Sequence, residues 1–171
     1  MERAGRRCFE PGRSAALNVA IRRGDEGDLP FILDLGKRIA LTSVSPLRAA
    51  MKPLVDLSFE KLVDFIVAQS HVILIAQDDA AKPAGFLLLL DTLPDEVTLS
   101  PQAFVAYMAV EPAVHRRGIG RSLLNAAEAI ARERGLPAIA MMVTEANDPA
   151  LELYASSGYR TERRLLCKPL T

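Results

Sequence analysis

Two short stretches of the chain hold residue types and spacings that can do chemistry. The first is Val110-Glu-Pro-Ala-Val-His-Arg-Arg-Gly-Ile-Gly-Arg-Ser-Leu-Leu124, in which an apolar run passes through a basic, glycine-containing turn into an amphipathic stretch. As a strand, turn and helix start, this is an anion site. The first helical N–H groups have no partner within the helix and lie at the positive end of its dipole. Gly118 and Gly120 let backbone come close to a phosphate, and His115, Arg116, Arg117 and Arg121 add donors or charge. Two common nucleotide patterns do not fit. A phosphate-binding GxxxxGK[ST] loop needs a lysine that is missing here. The dinucleotide fingerprint needs a third glycine where Leu123 stands, and it follows the first strand, whereas this turn follows the fourth expected strand. Taken alone, the turn is equally readable as a tight strand-to-helix connection with solvated arginines.

The second stretch is Asn147-Asp-Pro-Ala-Leu-Glu-Leu-Tyr154-Ala-Ser-Ser-Gly158-Tyr159. With both stretches in this order, the chain resembles the GNAT N-acetyltransferase superfamily over about residues 17–169. The resemblance rests on the [QR]xxGx[GA]-type turn after a strand and on the Asn…Leu-Tyr…Gly-aromatic block. It implies acetyl-CoA as donor cosubstrate and an amine acceptor; no metal is expected, since neither Cys8 nor Cys167 sits in a CxxC or near a histidine. It also implies a fork between the fourth and fifth strands that receives the pantetheine arm along Met108, Ala109 and Val110. The pyrophosphate would then sit on the turn from His115 through Arg116, Arg117, Gly118, Ile119, Gly120 and Arg121 to Ser122. Asn147 would bond the pantetheine or its neighbourhood, or else serve as a cap. Tyr154 would protonate the leaving thiolate, or else be a core aromatic with a backbone partner. The reaction needs such parts: a neutral amine attacking the thioester, an N–H facing the oxyanion, and an acid beside the sulfur.

The chain departs from the family pattern at three places. His115 stands where Gln or Arg is usual. A base carboxylate that some members carry on the fifth strand is replaced by Met142. A single strand is expected after Gly158 in place of a long closing hairpin, which leaves the acceptor site more open. The general base stays open between Glu145, Glu111 in a solvated turn, Tyr107 and a water chain. A second function class, a non-catalytic acyl-CoA sensor, shares the turn but has no use for Tyr154. His71 reads as structural, Cys167 as buried or inert, and Asp91, Asp95 and Glu96 as a solvated loop, with attraction of a cationic acceptor as a lesser reading.

The elements that position these residues follow from periodicity. The expected fold is α+β, with a mixed, mostly antiparallel central sheet and helices on both faces, in the order β-α-α-β-β-β-α-β-α-β. A strand over 17–22 precedes a helix capped by Asp25 or Asp28 that runs to about Ala40 with Phe31, Ile32, Leu35 and Ile39 inward. Residues 42–57 form a loop or short broken helix, and Ser58 or Asp56 opens a helix to Gln69 with Leu62, Phe65 and Ile66 inward. Strands follow at 71–77, 84–91 and 104–110. The helix after Gly120 turns Leu123, Leu124, Ala127, Ile130 and Ala131 inward, with Glu128 and Arg132 paired outside. A strand over 138–143, a helix opened by Asp148-Pro149, and a last strand over 159–169 complete the order.

Composition bounds the partners. The chain has 171 residues, half of them hydrophobic, which suits one domain over 15–171 behind a frayed tail at 1–14. Its 21 basic residues balance 21 acidic ones, so nucleic acid is not the expected ligand. No apolar run reaches the roughly 20 residues that cross a bilayer. The two cysteines, Cys8 and Cys167, form no framework and fit a reducing cytoplasm. A homodimer is common in the family; nothing in this sequence specifies one.

Overall fold

The computed structural model describes residues 19–91 and 93–170. The expected tail lies outside the described residues. Strand β1 (Ala20–Arg23) leads through a 3-10 turn into helices α1 (Leu29–Ile39) and α2 (Lys52–Val67). Strands β2 (His71–Gln77), β3 (Pro83–Leu90) and β4 (Ala103–Val110) follow, then α3 (Ile119–Glu133), β5 (Ile139–Met141) and α4 (Asp148–Ser156). The sheet order is β1-β2-β3-β4-β5. Every pair is antiparallel except β4 with β5.

The central strands are apolar on both faces because both are covered. Val72, Leu74, Leu87 and Leu89 pack with Leu123, Leu124 and Ala127 of α3. Ile73, Ile75, Phe86 and Leu88 face Ile32 and Leu35 of α1 and Phe59, Val63 and Ile66 of α2. The α1–α2 contact is close: a Cβ on Gly36 would land inside the Phe59 ring. Asp28, buried ahead of α1, accepts from Arg22 Nη1 at 2.8 Å and Nη2 at 2.6 Å and from the Asp25 N–H at 3.0 Å. This ties β1 to the start of α1.

Several sequence expectations are corrected. Helix α2 begins at Lys52, because Pro53 falls in its first turn, where a missing N–H costs nothing. Phe65 points outward and is exposed, while Val63 takes the inward place. The fifth strand shortens to Ile139–Met141. The expected last strand does not form: residues 159–170 make no ladder, and Leu165, Leu166 and Leu170 are exposed. Its run Glu162-Arg163-Arg164-Leu165-Leu166 lacks the alternation that would bury one face. Cys167 is exposed, not buried. The acidic loop is not simply solvated. Asp91 is buried, accepts from Ser70 Oγ at 2.8 Å and pairs with Arg134. Asp95 is buried, accepts from Thr98, and pairs with Arg163 at 2.5 Å.

Candidate active site

The parallel ladder between β4 and β5 is short. It pairs Ala103 with Ile139, Phe104 with Ala140 and Val105 with Met141, and then stops. Strand β4 continues to Val110 bonded to β3 alone. The two strands therefore form a fork that opens toward their C-terminal ends. The Glu111 N–H bonds Ala84 O at 2.9 Å, so alternation along an antiparallel strand turns the polar backbone groups of Met108 and Val110 to the open side. His115 Nε2 lies 2.9 Å from Val110 O, and a ring nitrogen bonded to a carbonyl is the N–H donor.

A bulge sits at the base of the fork. Leu88 opposes Tyr107 while Leu89 opposes Val105, leaving Ala106 unpaired. One extra residue reverses which face later side chains occupy. Val105 packs on the α3 side; after the bulge Tyr107 packs on the α1–α2 side, and Met108 and Val110 return to the α3 side. Tyr107 stacks on Phe86 (ring centroids 6.1 Å) and meets the edge of Phe59 at 4.8 Å.

At the open end, β4 passes through Pro112–Val114 into the turn before α3. Gly118 is left-handed, with φ of 82°, and caps α3 without any side-chain bond to its first N–H groups. No atom lies within 4 Å of the place where a Gly118 Cβ would stand, so the turn faces open space. Arg116 and Arg117 are exposed. The guanidinium of Arg121 is committed elsewhere: Nη1 donates to Ser156 O at 3.0 Å and Nη2 to Ser156 Oγ at 2.8 Å. Ile119 is buried, and a Cβ on Gly120 would come within 2.9 Å of Leu153 Cδ2, so the start of α3 lies against α4.

Helix α4 carries Tyr154. Asn147 caps it, its side chain accepting from the Ala150 N–H at 3.4 Å, which is the capping alternative for that residue. The Tyr154 ring sits edge-on to Tyr159 with centroids 6.0 Å apart. Burial raises the Tyr154 phenol above its ordinary pKa, and the nearby Tyr107 phenol adds to the rise. Burial likewise raises Tyr107, against a lowering from the Ser43 hydroxyl. One phenol thus belongs to each face of the sheet. Glu145 is exposed in the loop after β5. Glu111, half-buried after β4, is not free: both its oxygens accept from Arg38, at 2.5 and 3.2 Å.

Sequence reading missed Ser43 and Thr144. Ser43 Oγ lies 3.4 Å from Tyr107 Oη, and Thr144 Oγ1 donates to Ser43 O at 2.5 Å. One residue of the α1–α2 connection therefore touches both prongs of the fork. No local pattern marks it; a serine in a polar loop is unremarkable until the loop is folded over the sheet.

The family model described as the acetyltransferase (GNAT) family matches residues 43–159, more than half of the chain. The chain belongs to this family. Acetyltransferases of this family use acetyl-CoA. Among curated proteins, a mycothiol acetyltransferase of Thermomonospora curvata is 41% identical over 59 residues, covering 34% of this chain and 20% of that protein. This chain thus spans a small part of that relative. Solved structures share the fold. A Pyrococcus furiosus protein provisionally described as an acetyl transferase superposes with a TM-score of 0.77 at 24% identity, covering 90% of this chain and all of that one (100%). An aminoglycoside N-acetyltransferase in complex with CoA gives 0.64 at 19% identity, covering 89% and 99%. Among the described residues no group of three His, Cys, Asp or Glu converges as a metal site, and no helix is long and apolar enough to cross a membrane.

Proposed function

We propose that this GNAT protein transfers acetyl from acetyl-CoA to a primary amine of a small molecule or exposed peptide, by direct attack, with Tyr154 as the acid toward the thiolate. The observation that carries the proposal is the fork beyond Val105 and Met141, with an uncapped helix start at its mouth and a half-buried phenol, Tyr154, packed on the α3 side of the sheet. The residues present suit acetyl-CoA. The backbone of Met108 and the N–H of Val110 on the open side can pair with an amide-bearing arm, while the Val110 carbonyl is held by His115. The N–H groups at Gly118–Arg121, with no side-chain cap and flanked by Arg116 and Arg117, suit a pyrophosphate. Bound there, acetyl-CoA supplies an activated thioester.

The chain's own groups do the rest. A β4 N–H on the open side faces the carbonyl oxygen and stabilises the charge that develops on it. The Tyr154 hydroxyl, held protonated by burial, gives its proton to the departing sulfur. Arg121 contributes by holding α4 and hence Tyr154, and not through its guanidinium on phosphate. Glu145, exposed on the β5 side of the mouth and without a partner among the described residues, is a carboxylate that can take the proton of the attacking amine.

Tyr154→Phe tests the reading. CoA release against a panel of amines should fall about 100-fold or more, the scale of general acid catalysis, while calorimetric CoA binding stays within about twofold. Full turnover by the variant removes Tyr154 from the chemistry. Tight CoA binding with no turnover of any amine by the wild type would instead indicate a non-catalytic acyl-CoA sensor.

A further inference from the structure

We infer that the acceptor is a monoamine borne by an apolar group, and not a polycation. This rests on the acetyltransferase reading for the reaction, and it concerns the surface that receives the amine. Because Ser43 touches Tyr107 on one prong and Thr144 on the other, the connection between α1 and α2 lies along the mouth of the fork, on the face opposite α3. That connection and the first turn of α2 expose four large apolar side chains: Leu41 (42%), Leu47 (55%), Met51 (62%) and Leu54 (57%). Single exposed leucines are ordinary, but four large apolar side chains exposed along one connection that reaches the fork through Ser43 offer an apolar contact surface.

The charges around this surface point the same way. Residues 35–55 contain no Asp or Glu. The flanking carboxylates are already engaged, Asp34 and Glu111 by Arg38 and Asp56 by Lys52. Asp95 and Glu96, which the sequence offered as an attractor of cationic acceptors, lie before β4, at the closed end of the fork, and are paired to Arg163. Near the mouth, exposed carboxylates with no partner among the described residues lie only on its other side, at Glu145 after β5 and at Asp148 and Glu152 on α4. The reacting ammonium can be met there. Further ammonium groups carried out over the α1–α2 connection would face apolar surface and lose hydration without a counter-charge.

The test compares phenethylamine with spermidine and kanamycin, both in acetyl-CoA turnover and in calorimetric binding to the CoA-saturated protein. Phenethylamine should have a kcat/KM about 10-fold or more above either polycation. The double substitution Leu41→Ser with Leu47→Ser should raise its KM by about 10-fold, the scale of lost hydrophobic contact, with CoA affinity unchanged. Both leucines are exposed, so the fold does not depend on them. Equal or better turnover or binding of spermidine or kanamycin overturns the inference, as does an unchanged KM in the double variant. If no amine is turned over yet phenethylamine binds in preference, acetyl transfer fails and the acceptor surface stands. If nothing binds and nothing turns over, both fail.

Discussion

Arg121, at the start of α3, grips Ser156, at the end of α4, through two hydrogen bonds of 3.0 and 2.8 Å. A cation there also suits the negative end of α4. Since α4 carries Tyr154, the contact sets where the phenol sits relative to the fork. Arg121→Ala should lower kcat by about 10-fold, because displacements on the order of 1 Å at a reacting group cost that much or more. Ser156→Ala should reproduce part of the loss without removing a charge. Steady-state kinetics decide the role: a raised acetyl-CoA KM with unchanged kcat would mean that Arg121 serves the phosphates after all.

The pH profile tests Tyr154 as the proposed acid. An acid whose pKa is raised remains protonated to higher pH, and the free phenol titrates near about 10. Burial, with a contribution from Tyr107, pushes Tyr154 above that value. Once the amine is neutral, kcat should therefore hold level up to about pH 10. A decline centred near neutrality in the wild type, and missing in Tyr154→Phe, would contradict the assignment.

Gly36 is required by Phe59. A methyl group at Gly36 would occupy the Phe59 ring, and that ring also supports Tyr107 at 4.8 Å. Overpacking of this kind costs about 1–3 kcal/mol. Gly36→Ala should lower Tm by about 2–4 °C for each kcal/mol in a chain of this size. It should also raise the acceptor KM by disturbing the Tyr107–Ser43 contact. A Tm equal to wild type would show that Phe59 has room to move.

Asp28 makes stability depend on pH in the acid range. Its carboxyl lies below the ordinary value chiefly because Arg22 bonds it, against the opposing effect of burial. A carboxylate held low contributes above its unfolded pKa of about 3.9, and the contribution is lost as pH falls through the folded value. Asp28→Asn should cost about 1.5 kcal/mol at pH 7, the low end for a charge-assisted bond because Arg22 is partly exposed. The difference from wild type should shrink below about pH 4. Urea midpoints at pH 7, 4 and 3 measure this, and an acid-independent difference would assign the loss to packing.

Much of the candidate site was legible in the chain. Glycines at 118 and 120 between a strand and an apolar helical stripe announced the turn, and the stripe Leu123, Leu124, Ala127, Ile130 and Ala131 is the buried face of α3. Asn147-Asp-Pro opened α4 as its capping chemistry required. Less was legible where charged residues sat in loops. Asp91, Asp95 and Glu111 read as solvated because their partners Arg134, Arg163 and Arg38 are remote in sequence.

Local pattern by itself determined that a buried strand meets a basic turn and a helix, because helix periodicity, caps and left-handed glycines depend only on neighbours within a few residues. The face of Tyr107 could not be determined that way. It follows from the unpaired Ala106, and a bulge is chosen by how two strands register against each other, not by either strand's own alternation. The same holds for the fork, which exists because the β4–β5 ladder ends at Val105 and Met141, and for Ser43, which acquires a role only when its loop crosses both prongs. These features are contacts between segments far apart in the chain, and only the folded backbone brings them within hydrogen-bonding reach.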